Sequence, residues 1–478
     1  MLRLQLGPLV PSWSEFLLAL FRDLEPLGHS LTRQPDGGFI IELLRAEMVQ
    51  QENHWDRVHR VRHRALLEER RNEIFAFEQE FESIFVDMAS FQPSAVRPIL
   101  EIIDFRNRSH VRIVEYLKLY QTVTVGKLVG RRMGLLIWDI GQSGPAHLLG
   151  ASVLASARFS QRIRDRRLGW PPDFPRTSPR HDPAARAVRI YGLSRIMQLS
   201  MACALPPYNA LSGAWLAALA PFTAAGLDAF RASLKSPDPD ADLASVVTTT
   251  GKAASGSPFH GHRVGQIARG VSSAAGAKGD LYSQAKPYGG LRPLRASFEV
   301  LVTEEVRSRA RELFRQERPA QFARLRSPDR SAMAFALRQL GLRRWIFEGN
   351  EIGLHIGMLG EATLHCLREG RPRPAGARPL LDWGQAVGVW SRRFLPAPEL
   401  VGESADQRSK GAHREARQKR LDRARDFPAD QIRLSSRLEA FQRAAGGWAE
   451  GLSPELELPG EEPATDCQEE RSRDGQAG

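Results

Sequence analysis

The chain has 478 residues, 42% of them apolar and 26% charged, a balance that predicts two to four structural units with real cores. Its three cysteines, Cys203, Cys366 and Cys467, lie too far apart for a disulfide framework or a zinc site. The net charge of +12 conceals an asymmetry: residues 454–478 hold eight acids against two arginines, so the remainder carries about +18. That excess is mostly arginine, whose planar fork suits phosphate, so nucleic acid, DNA first, is the expected partner, with a merely basic surface as the plain alternative.

Residues 1–96 read as a helical N-terminal region. The opening MLRLQLGPLVPSWSEFLLALF has some look of a signal peptide, but Pro8, Pro11 and Glu15 interrupt it and no clean cleavage site follows, which predicts a cytoplasmic protein. Residues 54–90 are expected to form one long helix, with Trp55, Val58, Val61, Ile74, Phe77, Phe81, Ile84 and Met88 on its packing stripe. Its basic first half (Arg57, Arg60, Arg62, Arg64) is able to follow a phosphate backbone.

Residues 97–296 read as a mixed α/β core. VRIVEYLKLY is helical, and Gly134–Ser156 reads as a hairpin around Gly141–Pro145. A basic stretch, RFSQRIRDRRLGWPPDF, follows, and AVRIYGLSRIMQLS reads as a strand. After Arg195 no charged side chain occurs for 32 positions. Pro206-Pro207-Tyr208-Asn209 splits that run into pieces too short to cross a bilayer, so it is expected as a buried strand or helix end, a tight turn and a small-residue helix. No membrane association is expected. LASVVTTT is a further strand, and residues 251–295 are irregular.

Residues 297–400 are expected to be helical, GNEIGLHIGMLGEATLHCLREG included. Residues 401–453 form a basic helical segment, with eight Lys/Arg against two acids over 408–425, and 454–478 a disordered acidic tail. There is no internal repeat.

Standard nucleotide, hydrolase and metalloprotease fingerprints are absent, and Gly126-Lys127 lacks the rest of a phosphate loop. His260-Gly261-His262 is a weak metal or strand-nicking pattern; no metal site is assigned. Three places carry more chemistry. Arg162, Arg164, Arg166 and Arg167 alternate around Asp165 beside Trp170, which either grips phosphates and stacks a base or forms an Asp–Arg bridge over a Trp plug. Tyr208 and Asn209 precede a helix start, where Asn209 is a candidate N-cap, free amides favour an anion, and Gly213 and Ala214 leave room for one; the plain alternative is a capped buried helix. Thr248, Thr249 and Thr250 end a buried strand, where open sheets bind ligands. Arg195, a further candidate nucleic-acid contact, frames a candidate pocket with Tyr208, Asn209, Ser212 and Thr248–Thr250.

The order of hairpin, strand, small-residue turn, helix and strand resembles the acetyltransferase superfamily, and in particular phage DNA-modification enzymes of the Mom type. That resemblance implies a cofactor pyrophosphate at the helix N-terminus, although Asn209-Ala210-Leu211-Ser212-Gly213-Ala214 lacks the family's spaced glycines; the cofactor is left open. The blocks RFSQRIRDRRLGW, YGLSRIMQLSMACALPPYNALSGAWLAAL, LASVVTTTGKAASGSPF and FEGNEIGLHIGMLGEATLHCLREG resemble, over residues 97–375, the DruA family of Druantia anti-phage defence. This resemblance implies a bacterial defence role beside partner proteins that include a helicase. Three readings stand: a nucleic-acid-binding defence component; an enzyme that modifies or cuts DNA or nucleotides with Asp139 or Asp165 as acid/base or metal ligand and Tyr208 or Asn209 orienting substrate; and a non-catalytic scaffold.

Overall fold

Leu2, Leu4 and Leu6 alternate with polar residues, a period of two that lays one face of a strand on a core. The computed structural model describes residues 2–25, 28–43, 63–121, 128, 130–172, 174–234, 242–251, 282–285, 294–297, 302–325, 328–343, 348–358, 361–371, 381–395, 418–428 and 431–440. The chain opens with β1 (Leu2–Leu6), α1 (Pro11–Leu24), β2 (Ser30–Arg33) and β3 (Phe39–Leu43), the strands forming an antiparallel sheet in the order β1-β3-β2. The signal-like opening is thus a strand and an amphipathic helix, so the N-terminal region is not purely helical. Phe16, Leu17, Leu20 and Phe21 of α1 are buried against Phe39 and Ile41.

Of the expected 54–90 helix, residues 54–62 lie outside the described residues. The helix α2 (Arg71–Glu80) stops ten residues early, and Phe81 leaves helical geometry at φ −113°, ψ 32°. A 3-10 turn at Glu82–Ile84 follows, and Phe85 is extended at φ −87°, ψ 136°.

The core is a mixed sheet of eight strands in the order β10-β11-β8-β7-β6-β5-β4, with β9 also on β11. Its first members are β4 (Pro98–Ile102), then α3 (Arg108–Lys118) capped by Asn107, then the antiparallel hairpin β5 (Arg132–Asp139) and β6 (His147–Ser156). The hairpin and the helical VRIVEYLKLY are as the sequence predicts. Two helices follow, α4 (Arg162–Arg167) and α5 (Pro183–Ser194). Residues 187–194 are therefore helical, where a strand was expected. Pro183 sits in the first turn, where its missing N–H costs nothing, and Asp182 accepts the Ala184 N–H at 2.9 Å.

The uncharged run behaves as predicted. It forms β7 (Ile196–Ala204), a turn with a cis Pro206–Pro207 bond, and α6 (Gly213–Leu219), followed by α7 (Ala224–Ala232). These helices carry the chain over to β8 (Ser245–Gly251), which lies parallel to β7 over the pairs Ile196↔Ser245, Met197↔Val246 and Gln198↔Val247. After β9 (Tyr282–Ala285) and β10 (Leu294–Ser297), α8 (Glu304–Glu317) and α9 (Asp329–Gln339) return to the N-terminal sheet and complete its core with Val306, Leu313, Met333 and Leu337.

β11 (Glu348–Met358) corrects the reading of the GNEIGLHIGMLG stretch as helix: it is a strand, antiparallel to β8 on one side and to β9 and β10 on the other. Ile352, Leu354, Ile356 and Met358 alternate, and Gly353 and Gly357 disfavour a helix. α10 (Glu361–Glu369) and α11 (Trp383–Phe394) follow.

Both faces of the sheet are covered. Leu135, Ile137 and Met197 pack under α6, α7 and α11, while Leu136, Leu148 and Met201 point to the opposite face against Phe77, Ile113 and Leu117. Within the basic 401–453 segment the described part is docked: Leu421 and Ala424 are buried in the first of these layers, Leu434 and Leu438 in the second. Among the described residues no helix is long and apolar enough to cross a membrane.

Candidate nucleic-acid interface

The cluster Arg162–Arg167 divides by helical periodicity. Residues 163–165 of α4 face inward, and Arg162, Arg166 and Arg167 are exposed. Arg164 is fully buried and Asp165 is 4% exposed. Arg164 donates from Nε and Nη2 to Asp165 Oδ1 at 2.9 and 2.6 Å, and to the carbonyls of Arg158 and Phe159 at 2.6 and 3.1 Å. Asp165 Oδ2 accepts from Arg189 Nη1 at 3.1 Å and from the Gln161 N–H at 3.0 Å. Arg189 donates also to the Pro171 carbonyl. Burial lowers the Arg164 guanidinium from its ordinary pKa, against the pull of Asp165.

Trp170 is buried as well. Its Nε1–H donates to the Leu367 carbonyl at 2.9 Å, and its ring lies 5.6 Å below the Arg164 guanidinium carbon. Arg164 and Trp170 were expected to touch nucleic acid and Asp165 to act in catalysis. The structure corrects all three placements: these side chains saturate one another and plug the loop over β11.

Outside this plug lies a cleft between the 171–182 loop and the first turns of α5, lined by Pro172, Phe174, Arg180, His181, Asp182 and Arg186. Arginines lie over aromatic faces in it and beside it: Arg180 is 5.9 Å from the Phe174 centroid, and Arg186 is 4.8 Å from that of Phe159. Phe159 remains 38% exposed. Phe159, Arg180 and Arg186 were not among the expected site residues. Interleaved arginine and aromatic residues in RFSQ and in the 174–191 stretch are the available signal, but the pairing spans 27 positions and needs the fold.

The Pro-Pro-Tyr-Asn turn is occupied by its own chain. Tyr208 is 1% exposed and donates to Asp139 Oδ2 at 3.0 Å. Asp139, fully buried at the end of β5, also accepts from the Arg97 and Gly141 N–H groups at 2.8 and 2.9 Å and from Gln142 Nε2 at 3.0 Å. Burial, then the Asp139 carboxylate, push the Tyr208 hydroxyl far above its ordinary pKa. Neither residue has a lone pair or proton directed at solvent, so the acid/base roles expected for Asp139 and Tyr208 have no geometry behind them.

Asn209 is exposed and is not the helix cap. That position is Ser212, at φ +57°, with no side-chain cap bond. The amides of Ala210, Leu211, Ser212 and Gly213 all donate within the turn, so these four are not free for a pyrophosphate. A Cβ on Gly213 would meet Ala204 Cβ at 2.8 Å and Leu149 Cδ2 at 3.0 Å, so this glycine serves helix–sheet contact, not ligand access.

Thr248 is buried and donates to the Leu199 carbonyl at 3.1 Å. Thr249 and Thr250 continue β8, their side chains outside the described residues, as are Gly126, Lys127 and His260–His262. Arg195 is half-buried at the start of β7, stacked on Tyr191 at 4.3 Å. The expected frame of Arg195, Tyr208, Asn209, Ser212 and Thr248 therefore does not enclose a pocket. No cluster of three or more His, Cys, Asp or Glu suited to a metal occurs among the described residues.

In comparisons with known protein families, curated proteins and solved structures, the chain matches none.

Proposed function

We propose that the chain binds nucleic acid through the surface built by residues 158–167 and 171–186. One observation carries this reading: a partly exposed aromatic, Phe159, lies beside Arg186 at the edge of a cleft that also holds Arg180 and His181, with Arg162, Arg166 and Arg167 on the neighbouring helix. Aromatic faces between arginines suit the stacking of bases along a tracked phosphate backbone, without base-specific readout.

The expected acids and bases, Asp139, Asp165 and Tyr208, are buried and saturated. Binding without turnover at those residues is therefore favoured over modification or cleavage. Together with the DruA resemblance, this supports reading the chain as a nucleic-acid-binding component of anti-phage defence, cytoplasmic and acting beside a helicase partner.

The test is binding of the full chain to labelled single- and double-stranded DNA across a salt series, wild type against Arg162→Gln/Arg167→Gln and Arg186→Gln. A steep fall of affinity with salt is expected, with a slope that drops by about 0.7 to 0.9 per phosphate contact removed. Absence of binding at low salt, or a slope that none of these changes alters, rejects the reading.

A further inference from the structure

Arg131 and Arg195 meet at one end of the sheet, where β6 finishes and β7 begins. Arg131 Nη2 donates to the Ser194 carbonyl at 2.7 Å and Arg195 Nη1 to the Ser194 hydroxyl at 3.2 Å, so both guanidiniums converge on one residue. Each is held on an aromatic platform, Arg131 at 5.1 Å from the Phe230 centroid and Arg195 at 4.3 Å from that of Tyr191. The Arg131 N–H is fixed in turn by Ser156 Oγ at 2.9 Å.

Two features set this pair apart from other arginines withdrawn from solvent. Arg164, Arg189 and Arg311 have carboxylate partners, whereas among the described residues no carboxylate pairs with Arg131 or Arg195. Burial, and then the charge of Arg195, lower the Arg131 pKa from its ordinary value, as expected for like charges without a counterion. Each guanidinium also has five N–H donors, and the Ser194 bonds occupy one on each.

We propose that Arg131 and Arg195 bind a terminal phosphomonoester, the phosphorylated end of a nucleic-acid strand. The charge balance selects this group. The C-terminal end of α5 contributes about half a negative charge at Ser194, leaving roughly +1.5 on the pair. A phosphomonoester carries about −1.5 to −2 at neutral pH, whereas each backbone phosphodiester carries a single charge. Planar forks held on aromatic faces are preorganised for bidentate contact with phosphate oxygens. The nucleic-acid source of the phosphate rests on the function proposed above; the phosphate chemistry does not.

The deciding experiment compares full-length wild type with Arg195→Gln, whose lost side chain bonds only Ser194 and stacks on Tyr191. Binding is measured to one short oligonucleotide carrying either a 5′-phosphate or a 5′-hydroxyl, and to a deoxynucleoside monophosphate by thermal shift. The expected result is that wild type prefers the phosphorylated oligonucleotide roughly tenfold, and that Arg195→Gln loses the preference while holding its affinity for the hydroxyl form. Arg131→Gln gives the same loss, with a lower melting temperature because Ser194 loses its cap. Equal binding of both oligonucleotides by wild type, or a preference that survives Arg195→Gln, overturns the proposal while leaving nucleic-acid binding intact. If wild type binds neither oligonucleotide, the nucleic-acid reading falls and the monophosphate decides: an Arg195-dependent shift retains the site for a free nucleotide, and no shift overturns it.

Discussion

Tyr208 donates its hydroxyl to Asp139 across 3.0 Å, tying the turn after β7 to the last residue of β5 with neither side chain open to solvent. Four donors converge on this one carboxylate, two of them backbone amides. Tyr208→Phe removes one of four and is expected to cost about 1–2 kcal/mol in urea unfolding. Asp139→Ala strands all four and should cost about 3–5 kcal/mol. An Asp139→Ala protein as stable as wild type would refute the structural role assigned to this pair.

Alkaline pH tests the same region. Burial raises the Cys203 thiol to about 12 from an ordinary 9.0, and Tyr208 is raised still further above its own. Both groups stay protonated in the folded chain while the unfolded chain releases their protons. Their contribution to stability is complete below about pH 9 and shrinks as pH rises through 9 to 12 for Cys203, and from about 10 upward for Tyr208. Urea midpoints should therefore fall with pH above 9. In native protein at pH 8, mass mapping after iodoacetamide should find Cys203 unmodified.

The Arg164–Asp165–Arg189 network is expected to govern stability before binding. Asp165→Ala leaves two buried guanidiniums facing each other without a counterion and should destabilise by about 3–5 kcal/mol. Arg162→Ala, on the exposed side of the same helix, should shift unfolding by less than about 0.5 kcal/mol. If the two variants unfold alike, the division of α4 into a buried and an exposed face is wrong.

Phe159 separates binding from folding. It is 38% exposed, so Phe159→Ala should lower the melting temperature far less than Asp165→Ala does. Affinity for single-stranded DNA should drop by about 1–3 kcal/mol, the value of one stacked base. Anisotropy titrations at fixed salt measure this, and an unchanged affinity removes Phe159 from the interface.

A buried acid ties the C-terminal segment to α2. Glu78 of α2 is 3% exposed and accepts from the amides of Leu434 and Ser435 at 2.8 and 3.2 Å, and from the hydroxyls of Tyr116 and Ser435. Glu78→Ala should loosen the start of this segment, seen as faster hydrogen exchange at Leu434 and Ser435 with the sheet amides still protected.

By itself the sequence determined what short-range physics controls. An uncharged run broken by Pro206-Pro207 has to be a buried strand, a turn and a helix, because proline geometry and the exclusion of apolar surface from water act locally. The hairpin of β5 and β6 follows from two apolar runs around a Gly-Pro turn. The strand β11 was legible too, in the alternation of Ile352, Leu354, Ile356 and Met358, although a neighbouring helical pattern in Glu361–Glu369 masked it. Tertiary structure alone decided which arginines are surface and which are core. Arg164 and Arg166 differ by two positions on a short helix, and their local sequence is nearly the same. Burial of Arg164 depends on Asp165, on Trp170 and on Arg189 from another helix, because a guanidinium leaves water only where a carboxylate and carbonyls replace that water. Arg131 and Arg195, 64 positions apart in the chain, likewise come together only where the sheet sets the start of β5 beside the end of α5.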